Sequence, residues 1–138
     1  MRVSLGAVSL ALLIIAATAA ANGSVERTFN APVDRVWGAT EAVLKHLGWD
    51  VDKVDRSIGF ITTDSRRVDG DNFGVYEKAV RHRLRLHLKA AGEGRTTVSI
   101  ERTVFKRERI LFVDKDEPLT DTNQTVEKAL LEAIGKAL

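Results

Sequence analysis

Apolar side chains recur along this chain at two spacings, every second residue and every third or fourth, and the changes between them divide it into elements. In VERTF, Val25, Arg27 and Phe29 alternate with Glu26 and Thr28, which predicts a first strand. Pro32 suits the opening turn of a helix because its missing N–H has no partner there, and Asp34 complements the positive end of the helix dipole. Val33, Val36, Trp37, Thr40, Val43, Leu44 and Leu47 then share one helical face, and Gly48 supplies a stop. WDVDKVD alternates Trp49 and Val51 with Asp50 and Asp52, predicting a strand with one dry face that turns through Arg56-Ser57 into IGFITTD. Residues 64–79 keep no period and carry Gly70 and Gly74, so they read as a long loop and the most mobile segment. Two long strands follow, Val80 to Lys89 and Thr96 to about Lys106, joined by the glycine-containing AAGEGR, with Ile110 to Val113 as a short edge strand. Thr120-Asp121-Thr122 then caps a final helix with Val126, Leu130, Ile134 and Leu138 on one face. The order β-α-β-β-β-β-(β)-α predicts an α+β fold, an antiparallel β-sheet with two helices packed on one face.

The central hairpin carries the most specific pattern. In RHRLRLHLK, residues 81–89, a cation or a histidine stands at each odd position. A pivot near Glu93 sets Leu88 opposite Val98, Leu86 opposite Ile100, Arg85 opposite Glu101, Arg83 opposite Thr103 and His87 opposite Ser99. Leu84, Leu86, Leu88, Val98, Ile100 and Val104 then face the helices. Arg81, Arg83, Arg85, His87 and Lys89 face away, with Phe105 emerging beside Arg81. That outer stripe has two readings: the solvated side of a sheet, or a docking surface for an acidic envelope protein or anionic lipid head groups. Arg81 to Arg109 contain nine Lys or Arg against three Glu, a local net of +6, which motivates the second.

The N-terminus sets the compartment. Arg2, the apolar run Val8 to Ile15 and Ala19-Ala20-Ala21 read as a signal peptide over residues 1–21, cleaved after Ala21. Residues 22–138 remain as a single domain, periplasmic or secreted, with no transmembrane segment once the leader is gone; an uncleaved leader tethering the domain to the inner membrane is the alternative. The 138 residues contain no cysteine, so disulfides, thiolate metal sites and thiol nucleophiles do not arise. With 21 Lys and Arg against 19 Asp and Glu, the overall charge of +2 does not suggest nucleic acid as a partner.

No residue set spells out a chemistry. His82 and His87 lie five apart on one strand and point to opposite faces, and His46 lies off the apolar stripe of the first helix, so no metal site is expected. Ser57, Ser65 and Ser99 lack the tight glycine-flanked turn of a serine nucleophile. Asp50 and Asp52 should both be solvated, and Asp69 and Asp71 bracket Gly70 as turn formers, so neither pair offers two carboxyls with separated pKa values. Trp37 reads as core, Trp49 as a residue at the domain's edge. Neither catalytic residues nor a cofactor are expected.

Phe29, Pro32, Val36, Trp37, Leu44, Leu47, Gly48, Val51, Asp55, Gly59, Ile61 and Thr62 form a set that resembles the N-terminal half of a small helix-grip domain of the BamC family of outer-membrane assembly lipoproteins. RLRLHLKAAGEGRTTVSIER and VEKALLEAIGKAL are similar to that domain's central hairpin and closing helix. The resemblance spans nearly all of residues 22–138, without the lipidated cysteine, and for one domain rather than two. It implies periplasmic residence and a non-enzymatic role as a binding or accessory domain. Other helix-grip proteins, START and Bet v 1-like, hold lipids between sheet and C-terminal helix. A carrier of a small hydrophobic ligand is therefore the alternative, although a closing helix of about 25 Å is little longer than the strands it covers.

Overall fold

The computed structural model describes residues 23–73 and 76–138; for Asp69 and residues 71–73 only the backbone is described. The expected signal peptide, residues 1–21, lies outside the described residues. The elements are β1 (Val25–Phe29), α1 (Val33–His46), β2 (Val51–Asp55), β3 (Phe60–Thr63), β4 (Arg66–Phe73), β5 (Tyr76–Ala90), β6 (Thr96–Ile110), β7 (Val113–Leu119) and α2 (Thr125–Lys136). The strands form one antiparallel sheet in the order β1-β6-β5-β3-β2, with β4 also beside β5 and β7 also beside β6.

The α+β architecture follows from one ladder. β5 and β6 pair over fifteen residues each, in the register expected from the leucine parity: Leu88 with Val98, Leu86 with Ile100, Arg85 with Glu101, Arg81 with Phe105. Leu84, Leu86, Leu88, Val98 and Ile100 are buried against Val36, Trp37, Leu44, Leu130 and Ile134 from the two helices. The apolar stripe of α1 seats as its period requires, and Thr40 joins it by donating its hydroxyl to the Val36 carbonyl at 2.7 Å. Gly48 takes φ 81 just past the helix, the left-handed conformation that stops it. Leu47, expected on the buried face, is instead 42 % exposed, because the chain leaves the helix there.

Five further expectations need correction. Most of the described part of 64–79 is strand and not loop: β4 runs beside β5, Arg66 opposite His82 and Gly70 opposite Ala79, and β5 already begins at Tyr76. The sequence of β4 shows no alternation because it is an edge strand without an apolar face, held by its main-chain ladder and by Arg66, which donates to the Leu47 carbonyl at 2.9 Å. At Gly70, φ is 135 and a Cβ would collide with the Lys78 carbonyl of β5, so the glycine that reads as a turn signal is a close-approach residue inside a strand. The segment after Lys106 differs as well. Ile110 to Val113, expected as an edge strand, is the turn between two strands: β6 continues to Ile110, Leu111-Phe112 reverse the chain, and β7 starts at Val113, its seven residues all exposed. β2 is exposed along its whole length, so its dry face does not exist. Trp49, placed at the edge by its sequence, is buried just before β2, at 4.7 Å from the His82 ring and with the Arg66 guanidinium 3.8 Å above it. The cap of α2 also moves: Asp121 and Asn123 each accept the backbone N–H two residues on, and the helix opens at Thr125.

The sheet is longer than its helical cover. Beyond His82 and Arg102 the four strands β4-β5-β6-β7 continue as an arm that, among the described residues, ends in the two-residue turn Leu111-Phe112. Leu111 there has φ 58, a left-handed conformation that costs a side-chain-bearing residue about 1–2 kcal/mol.

Two stability outcomes follow. Leu86→Ala removes a fully buried side chain from the centre of the ladder and should lower the unfolding free energy by about 2–5 kcal/mol in a urea titration. Leu111→Gly relieves the turn and should leave stability unchanged or raise it by up to about 1 kcal/mol; a marked loss would mean that the leucine side chain is held by packing.

Candidate binding surface

Strand parity sends Arg81, Arg83, Arg85, His87 and Lys89 to the face of β5 without helices, opposite Phe105, Thr103, Glu101, Ser99 and Thr97 of β6. Across this face runs an open groove of about 650 Å³ lined by Thr62, Arg81, Arg83, Arg85, Glu101 and Thr103, with Arg107 at one end and Asp52 and Lys53 at the other. Arg85, Lys53 and Thr62 also border a neighbouring apolar hollow of about 710 Å³ that contains Val54, Ile58 and Phe60. Three of the six candidate residues, Arg81, Arg83 and Arg85, therefore meet in one concavity. His87 stands beside it, stacked on Phe60 at 4.3 Å with Nε2 3.1 Å from the Ile58 carbonyl, and Lys89 lies outside near the β5–β6 turn.

Phe105 does lie beside Arg81 on this face, but it is 4 % exposed and cannot meet a partner directly. The guanidiniums of Arg83 and Arg107 cover its ring at 5.2 and 5.3 Å, and Pro118 pairs with it from β7. A lone phenylalanine among cations reads as an exposed anchor in sequence; the missing signal is β7, whose strand character no apolar period reveals.

The cations of this face divide by partner. Arg81 is fixed: Nη1 meets Glu77 at 3.2 Å, while Nε and Nη2 donate to the hydroxyl and carbonyl of Ser65 at 2.9 and 2.8 Å. Arg107 grips Asp116 with two hydrogen bonds of 2.8 and 3.0 Å, and Arg109 grips Asp114 with two of 2.5 and 3.0 Å. These bonds hold both carboxyls below the usual carboxylate range and raise both arginines. Arg83 and Arg85 form no ion pair among the described residues; they lie over Phe105 and Phe60, at 5.2 and 4.5 Å. Each keeps donors free toward the groove.

A second polar cluster lies on the opposite, helix-covered face, where sequence reasoning placed only core. His82 is buried with Arg66 Nε 3.4 Å from its Nε2 and Arg102 Nη1 3.3 Å from its Nδ1. Arg102 itself pairs with Glu127 of α2 at 3.0 Å and with Asp121 at 2.7 Å, and donates to the Asn123 carbonyl at 2.9 Å. The cluster ties α2 and the chain before it to β6 where the leucine core ends. His82 and His87 do face opposite sides. His46 sits exposed in the last turn of α1, Asp50 and Asp52 are both exposed, and the side chains of Asp69 and Asp71 lie outside the described part. Ser57 donates to Asp55 in the β2–β3 turn. Among the described residues no group of three or more His, Asp or Glu is placed to hold a metal ion, and no helix is long and apolar enough to cross a membrane.

Burial, with Arg102 and then Arg66 nearby, pushes the His82 imidazole down to about 4 from 6.5. Between those values the unfolded chain binds a proton that the native histidine refuses, so native stability should fall as pH drops from about 6.5 to about 4 and stay level with respect to this group above 6.5. Urea midpoints measured across that window should show the decline, and His82→Gln should flatten it; an unchanged slope would assign it elsewhere. No protein-family model matches this chain, and none of the curated proteins is similar to it.

Proposed function

We propose that this chain is a non-enzymatic binding or accessory domain of the bacterial envelope, periplasmic or secreted, that docks an acidic protein segment in the groove on its uncovered sheet face. The observation that carries this reading is the pair Arg83 and Arg85, cations on a paired strand that form no ion pair among the described residues, while Arg81, Arg107 and Arg109 around them are all paired. Alternate residues of a strand stand about 6.8 Å apart, the same repeat as carboxylates at alternate positions of an extended peptide. The groove crosses β6, β5, β3 and β2, and where it passes β5 the two arginines stand at that repeat, with Thr62 and Thr103 as neutral hydrogen-bonding groups and Asp52, Asp64 and Glu101 as the carboxylates of its lining.

The filled interior supports this reading over a carrier of an apolar ligand. Trp37, Leu44, Ile61, Leu86, Ile100 and Ile134 pack to 2 % exposure or less between helices and sheet, where a helix-grip carrier keeps its cavity. The resemblance to BamC-type domains supports the envelope assignment and the non-catalytic role.

Arg83→Glu with Arg85→Glu tests the proposal directly. As exposed charges the two should cost less than about 1 kcal/mol each in stability, so the fold survives. Capture of an acidic protein from envelope extract at low salt should be lost with the double reversal and weakened by salt in the wild type. Retention of the same partner by the folded double variant would sink the groove as the docking site.

A further inference from the structure

The β6–β7 hairpin ends the arm in Ile110, Leu111, Phe112 and Val113, consecutive apolar residues with 57, 59, 99 and 70 % of their surface exposed. Scattered exposed hydrophobics need no explanation, but a contiguous apolar tip on a protruding hairpin marks a contact. An independent observation points the same way: Leu111 takes φ 58 at a turn position that ordinarily goes to glycine. The tip thus carries a large apolar side chain where the turn itself favours none.

We propose that this tip seats in a phospholipid bilayer, with Leu111 and Phe112, flanked by Ile110 and Val113, entering the interfacial layer. The tip is convex, so a protein partner would have to supply a matching pocket, whereas a bilayer deforms around it. Behind the tip the residues are layered as a membrane boundary requires. Tyr76, paired with Ile110 on β5, offers an aromatic ring with a polar end. Next comes the rung Arg109–Asp114, closed by two hydrogen bonds; two rungs further back Arg107–Asp116 is closed likewise, with Glu108 opposite Lys115 on the other face between them. Because Arg109 and Asp114, the charges nearest the tip, already pair, approach to a low-dielectric phase strips water from neither as a bare ion.

The reach is also right. The apolar residues extend one rung and a turn past Arg109–Asp114, about 5–7 Å, which matches the ~5–10 Å depth of interfacial insertion. Ile110 and Val113 pair with each other, leaving only the turn peptides open, which suits the hydrated interface and not the hydrocarbon interior. Along β6 and β7 the charges balance, Lys106, Arg107, Arg109 and Lys115 against Glu108, Asp114, Asp116 and Glu117, so the contact is apolar and depends little on salt or lipid charge. It is independent of the groove.

Phe112→Trp in the full chain reports the tip alone, since Trp37 and Trp49 are 2 and 4 % exposed and give a constant background. This variant is titrated with vesicles of brominated phosphatidylcholine, alone or mixed with phosphatidylglycerol. A blue shift and bromine quenching are expected with both, little altered by salt. Adding Leu111→Gly, which does not endanger the fold, should weaken the response about tenfold, as loss of one inserted leucine implies. Absence of quenching with both vesicle types overturns the proposal, even where the chain binds lipid by another segment. So does quenching confined to the anionic vesicles, abolished by salt and indifferent to Leu111→Gly, which would place the contact on the arginine face. A concentration-dependent blue shift without lipid would make the tip a contact between copies and overturn it equally.

Discussion

The fifteen-rung ladder between β5 and β6 is the constraint on which everything else depends. At about 3.4 Å per residue the two strands reach some 50 Å, whereas α1 and α2, with fourteen and twelve residues, cover about 21 and 18 Å. The helices can therefore shield one half of the ladder only. Near the β5–β6 turn the inward residues are Leu84, Leu86, Leu88, Val98 and Ile100, and a dry core forms. Past them the inward positions become His82 and Arg102, then Val80 and Val104, and the sheet runs on without helices.

The join between the halves is chemically specific. A leucine core cannot end abruptly at water without leaving an apolar rim, and the last helix must be anchored where its own apolar contacts stop. Arg102 resolves both by spending its donors on Glu127, Asp121 and the Asn123 carbonyl. Arg66 does the same from β4, lying over Trp49 and reaching the Leu47 carbonyl. His82 is held neutral between the two guanidiniums, so the cluster carries no third positive charge where burial would make one expensive.

How legible each part was in the sequence follows from what holds it. α1 and the β5–β6 register could be read because their stability comes from apolar burial, and burial writes a period of 3.6 or 2 into the residues. β4 and β7 could not, because each is an edge strand fixed by main-chain bonds and by ion pairs such as Arg107–Asp116, which leave no hydrophobic trace. Missing β7 then hid the fate of Phe105, since burial on an uncovered face depends on a neighbour whose strand character was invisible. Arg83 and Arg85 were legible as members of a stripe. That these two arginines form no ion pair among the described residues was not, because Asp114 and Asp116 are matched to Arg109 and Arg107 across β6 and β7, by a strand whose position the sequence does not reveal.

The same ladder fixes the groove and the tip relative to one another. Arg83 pairs with Thr103, seven residues before Ile110 on β6, so the centre of the groove stands about 24 Å from the end of the arm. No hinge interrupts the continuous pairing between them, and the paired rungs Arg107–Asp116 and Arg109–Asp114 stiffen the intervening stretch. A tip seated in the interfacial layer therefore holds the groove in water well above the head groups, beyond a screening length of about 8 Å at physiological salt. On the proposed seating, anionic lipid would not compete for Arg83 and Arg85 at that separation, and a segment docked there would belong to something that itself extends away from the membrane surface.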